Sequence, residues 1–266
     1  MICATAQAQF NRTGSDLNGS SDDGLTALKN LGLIAAWDAR YGLSFSSTTN
    51  ISQWNDLTGN FVLRQPVVAN QPVFHPAFPS FSNPIPTVYF NGTPKVMVEN
   101  RIASELNQTN FTLILLTCPR QQAANVGIAM GSTSSTSATF SVVGAFGLNS
   151  ATGNQQFRYS PDSGGGTLVA AQTPNISTNF FKYFGTTFSN NFARVYANNT
   201  NISVLTAVSL TSNLNTFAVG SLVGSNSFAS LHWQGGMSGI YLFKGALSTN
   251  QYLDVETLLN TERPVH

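Results

Sequence analysis

The chain has 266 residues, of which 42% are hydrophobic and only 9% are charged, and its formal net charge at pH 7 is +1. This composition is that of a folded protein whose surface is hydrated mainly by Asn, Ser, Thr and Gly rather than by charged groups. The near-neutral balance leaves no basic stripe for a nucleic acid and no Lys/Arg cluster for an anionic membrane surface, so neither partner is expected.

Residues 1–24 lack hydrophobic periodicity and end in the polar run GSDLNGSSDDG. We expect an arm that is flexible, or becomes ordered on a partner, ahead of one domain over 25–266. The first ten residues, MICATAQAQF, have neither the charged nor the apolar region of a signal peptide. A place on a virion or another extracellular surface would then need a different route, such as assembly into a particle.

A short helix is predicted over LTALKNL (25–31), and short β-prone runs separated by turn residues follow it to residue 247. Many short strands at regular spacing predict an antiparallel sandwich. The longest apolar run, FTLILLTC (111–118), is too short to span a bilayer and is interpreted as a buried strand. It ends in Cys118, which we expect to be a buried free thiol; a bridge to Cys3 is the less favoured alternative.

The end of the chain carries a helix signal. In STNQYLDVETLLN (248–260), Ser248 is followed three residues later by Gln251, which is a capping-box pattern. Tyr252, Val255, Leu258 and Leu259 then share one helical face. The sequence therefore predicts one C-terminal helix packed on the sandwich.

The order of these motifs resembles the concanavalin A-like lectin/glucanase superfamily, and in particular its laminin-G-like jelly-roll branch, which occurs in phage and bacterial surface proteins. The resemblance covers nearly all of the chain after residue 32, and it implies two antiparallel sheets packed face to face. The matching segments are LIAAWDA (33–39), ISQWNDLTGN (51–60), NQPVF (70–74), PTVYFNG (86–92), FTLILLT (111–117), FARVYANNTNIS (192–203), TFAVGS (216–221) and WQGGMSGIYLFKGALSTNQ (233–251).

Catalytic residues are not evident in the sequence. Hydrolytic members of that superfamily carry an E-x-D-x-x-E strand, which places two carboxylates on one sheet face, and this chain has no such pattern. His75, His232 and His266 are isolated, and there is no G-x-S-x-G elbow. The sequence therefore favours a protein that is not an enzyme.

Calcium is the one cofactor that the resemblance raises, because related domains often hold it with Asp and Asn oxygens. The weak candidates are Asp38, Asn55 and Asp56. The favoured alternative is that Asp38 and Asp56 accept hydrogen bonds from nearby backbone N–H groups and shape turns. No other cofactor is expected.

Aromatic side chains give a hint of sugar binding, since their rings can stack on sugars. Tyr159 and Arg158 lie beside the glycine-rich run SPDSGGG (160–166), and Trp233 opens the last motif. These three are the candidate glycan-binding residues. For Trp54 and Trp233 the favoured interpretation is a packing anchor with a satisfied indole N–H.

Together these features predict a non-enzymatic structural or decoration protein of a virion or cell surface, built on a laminin-G-like sandwich with an optional weak affinity for glycans. Its partners would be other surface proteins, including copies of itself. The alternative is an adhesion module that binds host or matrix glycans. A glycoside hydrolase of the same superfamily is the third hypothesis.

Overall fold

The computed structural model describes residues 22–78, 85–105, 110–120, 125–131, 142–148, 155–159, 169–172, 180–189, 192–197, 200–206, 216–223 and 228–262. Within these ranges the chain forms two β-sheets, with a helix at the C-terminal end. The predicted all-β antiparallel sandwich with one C-terminal helix is confirmed. All but the last three residues of the predicted 1–24 arm lie outside the described ranges.

The described helices are α1 (Asp22–Asn30), α2 (Ile102–Glu105) and α3 (Thr249–Glu262). The strands are, in chain order, β1 (Leu33–Asp38), β2 (Leu43–Phe45), β3 (Ile51–Asn55), β4 (Val62–Arg64), β5 (Val73–Phe78), β6 (Ile85–Asn91), β7 (Met97–Glu99), β8 (Asn110–Pro119), β9 (Asn125–Gly131), β10 (Val142–Leu148), β11 (Gln155–Tyr159), β12 (Val169–Gln172), β13 (Lys182–Ser189), β14 (Phe192–Ala197), β15 (Thr200–Thr206), β16 (Thr216–Val219), β17 (Ser221–Val223), β18 (Phe228–His232) and β19 (Gln234–Phe243).

The first sheet has eight strands in the order β15-β14-β13-β8-β19-β6-β5, and β1 also pairs with β19. The second sheet has eleven, in the order β12-β11-β10-β9-β16-β7-β4-β3-β2, with β17 and β18 beside this path. The described pairings are antiparallel except for one parallel bridge, between His232 and Val126. Long crossovers between non-consecutive strands, such as β8 beside β19, close the two sheets around a common interior.

The central strand β8 explains why its sequence is a continuous apolar run. Nine of its ten residues are buried, because one face meets the inner core between the sheets and the other meets an outer layer. A sheet covered on both faces selects apolar residues at every position instead of alternating ones. The prediction that FTLILLTC is a buried strand is confirmed. Among the described residues, no helix has the length and hydropathy required to cross a membrane.

Two tryptophans tie the start of the inner core together. The Trp37 indole N–H donates to the carbonyl oxygen of Trp54 at 3.0 Å, and the Trp54 indole N–H donates to the carbonyl oxygen of Asp38 at 3.2 Å. Both rings are fully buried. Trp54 is therefore the packing anchor that the sequence predicts, and the exchange fixes strand β3 beside the end of β1.

The outer layer lies on the other face of the eight-stranded sheet, where α1 and α3 cover it. The Ser248 N–H donates to the Gln251 side chain at 2.9 Å and the Gln251 N–H donates to the Ser248 hydroxyl at 3.3 Å, which confirms the capping box. Cys118 is buried and free, and burial raises the pKa of its thiol to about 12. The buried residues of the outer layer are Leu28, Leu33, Ala36, Phe78, Ile114, Leu116, Cys118, Phe181, Tyr183, Tyr196, Tyr241, Phe243, Leu247, Tyr252, Val255 and Leu259.

Candidate functional site

The turn after strand β3, residues 56–61, is held by the Asp56 side chain, which is 5% exposed. One carboxylate oxygen accepts the backbone N–H of Thr58 at 2.6 Å, and the other accepts the backbone N–H of Phe61 at 2.6 Å. Gly59 adopts φ of +82°, in the left-handed region that glycine enters without steric cost. The Asp56 turn is thus closed by its own first residue, as the sequence predicts for an Asx side chain.

Further hydrogen bonds attach the Asp56 turn to strand β1. The Leu57 N–H donates to the carbonyl oxygen of Ala36 at 2.7 Å, and the Thr58 hydroxyl donates to the carbonyl oxygen of Ile34 at 3.2 Å. Because β1 is paired with the central strand β19, the turn rests on the most heavily packed part of the sheet. Side chains that it presents to solvent are therefore set in position before any ligand arrives.

Glu99 and Arg101 hold the far end of the Asp56 turn. The Glu99 carboxylate accepts the N–H of Val62 at 2.8 Å and the N–H and Nε–H of Arg101 at 2.8 and 3.2 Å. The Arg101 guanidinium also donates to the carbonyl oxygen of Asn60 at 2.8 Å. Burial alone would raise the pKa of Glu99, but these bonds and the Arg101 charge outweigh it, and the pKa lies below its ordinary value.

A cleft of about 700 Å³ opens between α1, the start of β1, the Asp56 turn and α2, which is the size range of small-molecule sites. Its wall combines an ammonium, an amide, a hydroxyl, a guanidinium and a carboxylate with an apolar floor. The lining residues are Lys29, Leu33, Ile34, Thr58, Asn60, Phe61, Arg101 and Glu105. Such a mixture of donors and acceptors around a small apolar surface matches the hydroxyls and the apolar face of a sugar ring.

The calcium candidates do not form a cation site in the described structure. Asp38 is buried and pairs with the Arg40 guanidinium at 2.7 Å. The Asn55 amide donates to the carbonyl oxygen of Gly42 at 2.9 Å. Both Asp56 oxygens accept backbone N–H groups, as given above. Among the described residues, no three His, Cys, Asp or Glu side chains are grouped to hold a metal.

The candidate glycan-binding residues lie apart from the cleft. The backbone of Arg158 and Tyr159 belongs to strand β11, which pairs with β10 and β12, and their side chains are outside the described part of the chain. Trp233 is fully buried, with its N–H bonded to the carbonyl oxygen of Gly220 at 2.8 Å. Its ring therefore has no exposed face for a sugar, because the packing-anchor interpretation applies to it as it does to Trp54.

Sequence reasoning missed the residues that line the cleft outside the Asp56 turn. Lys29 ends a predicted helix, and Arg101 and Glu105 fall on either side of the unpredicted short helix α2. The one available signal was the pair Glu99 and Arg101 in a chain with so little charge. Their partners lie 37 to 41 residues away along the chain, which no local pattern records.

Comparison with solved structures places this fold among sialidases. The chain matches Trypanosoma rangeli sialidase in complex with sialic acid at a TM-score of 0.60 and 11% identity, covering 87% of this chain and 33% of that one. A second structure of Trypanosoma rangeli sialidase matches at 0.60 and 12%, covering 91% and 38%. The sialidase in complex with the inhibitor DANA matches at 0.59 and 11%, covering 98% and 38%.

At these identities the likeness concerns the fold alone, and the chain spans about a third of the length of the sialidases it matches. No protein-family model matches the chain, and a comparison with curated protein sequences gives no match. The two-sheet sandwich is therefore shared with sialidase structures, while membership of the concanavalin A-like superfamily stays a prediction.

The expectation that the chain is not an enzyme is wrong by this comparison, because the structures that share its fold are enzymes. The sequence argument failed for a physical reason. It inferred inactivity from the absence of one carboxylate motif, but a sandwich that forms part of a larger enzyme has no need to carry that motif. The predicted virion or surface role and its protein partners are not tested by these observations and stay predictions.

Proposed function

We propose that this chain is a carbohydrate-binding β-sandwich of a sialidase-type glycoside hydrolase, built on the concanavalin A-like fold that its motifs resemble, and that the cleft beside the Asp56 turn holds the sugar. The observation that carries the proposal is the cleft itself. Exposed polar side chains from three separate elements converge there, and the turn between them is fixed by the buried Asp56 carboxylate.

The chemistry of the cleft suits a sugar better than an apolar ligand. Lys29 and Asn60 are exposed at its mouth and donate hydrogen bonds, and Glu105 accepts them. Phe61 contributes a floor that is 7% exposed, and the Arg101 guanidinium lies 5.8 Å from its ring centroid. A sugar bound there would exchange water for these groups without much reorganisation, which limits the entropy lost on binding.

The fold gives the proposal its class of ligand. Structures with this fold include a sialidase solved in complex with sialic acid, so we propose an acidic or neutral glycan at an extracellular or particle surface as the partner. Fold analogy by itself is a weak warrant for function, and for that reason the proposal depends on the cleft and is tested there.

The test is a titration of the isotope-labelled protein with sialyllactose and with lactose, followed by amide chemical shifts. We expect shifts at the Asp56 turn, and we expect Lys29→Gln and Asn60→Ala each to weaken binding about tenfold, since a hydrogen bond to a charged or well-placed group contributes about 1.5 kcal/mol. Arg64→Gln removes the same charge as Lys29→Gln from an exposed position of β4 and should leave binding unchanged.

Shifts confined to another surface, or equal weakening by Arg64→Gln, would refute the cleft as the site. A parallel assay of hydrolysis of a fluorogenic sialoside, made on the protein as it is expressed, tests the association with an enzyme. Turnover that Lys29→Gln slows at low substrate but not at saturation would support a binding role for the cleft, because uniform binding changes KM and leaves kcat unaltered.

A further inference from the structure

A second group of polar and aromatic side chains lies on the outer face of the eight-stranded sheet, on β5, β6 and the end of β8. Its floor is Phe78, which is 2% exposed. Tyr89 stands beside it with the ring centroids 5.2 Å apart. No residue of this aromatic floor lines the cleft, so the two surfaces are separate.

Arg120 is held above the aromatic floor by contacts on both its backbone and its side chain. Its N–H donates to the carbonyl oxygen of Gln234 at 3.0 Å, directly after strand β8 ends. Its guanidinium carbon lies 4.6 Å from the centroid of the Phe78 ring. Stacking on an aromatic ring orients the plane of a guanidinium and leaves its N–H groups directed outward along the edge.

His75 reaches the same floor from strand β5. Its imidazole meets Phe78 edge to face at 5.5 Å and Tyr89 edge to face at 5.3 Å. The ring is partly exposed. Burial lowers the pKa of His75 first, and the positive charge of Arg120 lowers it further, which places the two cation-capable groups within electrostatic range of each other.

The charges at this position are of one sign. In the part of the chain that the structure describes, Arg120 is the charged side chain that acts on His75, and Tyr89 is the other titratable group in contact with the ring. Two groups that bear or accept positive charge thus converge on an aromatic floor without a carboxylate described between them. An oxyanion is the complement of that arrangement.

We propose that His75 and Arg120 form a binding site for an oxyanion, either a free one or the carboxylate or sulfate of an acidic sugar whose ring lies against Tyr89. The oxyanion accepts the guanidinium N–H groups and an imidazole N–H. Binding favours the imidazolium form of His75, so affinity rises as the pH falls towards the pKa of the free histidine. This site goes beyond the cleft and does not depend on it.

The experiment follows the imidazole carbon-bound protons of His75 by NMR across pH, in the presence of sodium sulfate, glucuronic acid or glucose, with sodium chloride at matched ionic strength as the control for screening. We expect sulfate to raise the pKa of His75 by about 1 relative to chloride, as a nearby opposite charge does. A His75 titration that is the same in sulfate, glucuronic acid and chloride would overturn the proposal.

Two variants locate the effect. Arg120→Gln should abolish the response of His75 to sulfate, and Arg64→Gln, which removes a positive charge from the other sheet, should preserve it. If Arg120→Gln responds as the parent protein does, the site is wrong even when sulfate shifts His75. The direct titration of the parent protein remains decisive if Arg120→Gln fails to fold.

The arms also separate the sources of the oxyanion. A stronger response to glucuronic acid than to sulfate, with none to glucose, supports an acidic sugar. Equal responses to sulfate and glucuronic acid support a site for free oxyanions. Loss of the response in Lys29→Gln, which alters only the cleft, would contradict the independence of the two surfaces.

Discussion

The Asp56 turn and the underside of helix α3 each bury a carboxylate, but they surround it differently. Asp56 is 5% exposed and each of its oxygens accepts a backbone N–H at 2.6 Å. Glu256 is 1% exposed and faces Tyr252, whose pKa is raised by burial and by the Glu256 charge. In the turn the carboxylate organises backbone, whereas under α3 it lies within a packed aromatic layer.

The difference separates positions that depend on hydrogen bonds from positions that depend on shape. Under α3, Tyr252 stacks on Tyr196 with ring centroids 3.9 Å apart, and the fit is close enough that Gly185 has no room for a methyl group. In the turn, Gly59 has no atom within 4 Å of the place a Cβ would take. The turn is open to solvent and specified by polar contacts, which is what a binding site requires.

The largest expected effect is the loss of the Asp56 carboxylate. Asp56→Ala leaves the N–H groups of Thr58 and Phe61 without their acceptor, and the second of these is buried, so we expect the free energy of unfolding to fall by about 3 kcal/mol. Urea denaturation measures it. Asp56→Asn keeps one carbonyl oxygen and should lose roughly half as much; equal stability of the Ala variant and the parent would show that the turn is held by other contacts.

The sequence indicated this turn because the information is local. Trp54, Asp56 and Gly59 fall within six residues, and an Asx residue followed by glycine has a direct structural meaning. The same is true of the capping box at Ser248. Strand positions were likewise legible, since each needs only a short apolar run and a turn. These local signals were enough to predict the sandwich and its last helix.

The cleft and the outer layer were not predictable in this way, because their contacts join distant parts of the chain. The bond from Arg101 to the carbonyl of Asn60 spans 41 residues, and the contact between Tyr196 and Tyr252 joins a strand to a helix. The assignment of Trp233 to glycan binding shows the same limit. A tryptophan next to turn residues has the same local sequence whether it is exposed or, as here, fully buried.

A smaller effect is expected from a single methyl group under α3. A Cβ at Gly185 would lie 2.3 Å from the Tyr252 hydroxyl and 2.7 Å from the carbonyl oxygen of Leu113, and backbone cannot yield as a side chain does. Gly185→Ala should therefore lower the free energy of unfolding by about 2 kcal/mol. Thermal and urea denaturation check this value.

Gly24→Ala is the matched control for that substitution. Gly24 lies in helix α1, and nothing approaches within 4 Å of the place its Cβ would take. Alanine favours helix over glycine, so this variant should gain up to about 1 kcal/mol. If Gly185→Ala were as stable as Gly24→Ala, the shape-based account of the outer layer would be wrong.

The smallest expected effect concerns acid pH and the Glu99 carboxylate. Because the pKa of Glu99 is lower in the folded protein than in the unfolded chain, its contribution to stability is complete above the unfolded value of about 4.3 and is lost as the pH falls through the folded pKa. Glu99→Gln should cost about 1 kcal/mol at pH 7, and the gap to the parent protein should narrow on acidification through that window. Glu105→Gln changes an exposed carboxylate on the same side of the cleft and should show no such convergence. A gap for Glu99→Gln that is constant from pH 7 to pH 3 would mean that the hydrogen bonds from Val62 and Arg101 do not favour the ionised carboxylate, and the turn would then owe its order to Asp56 alone.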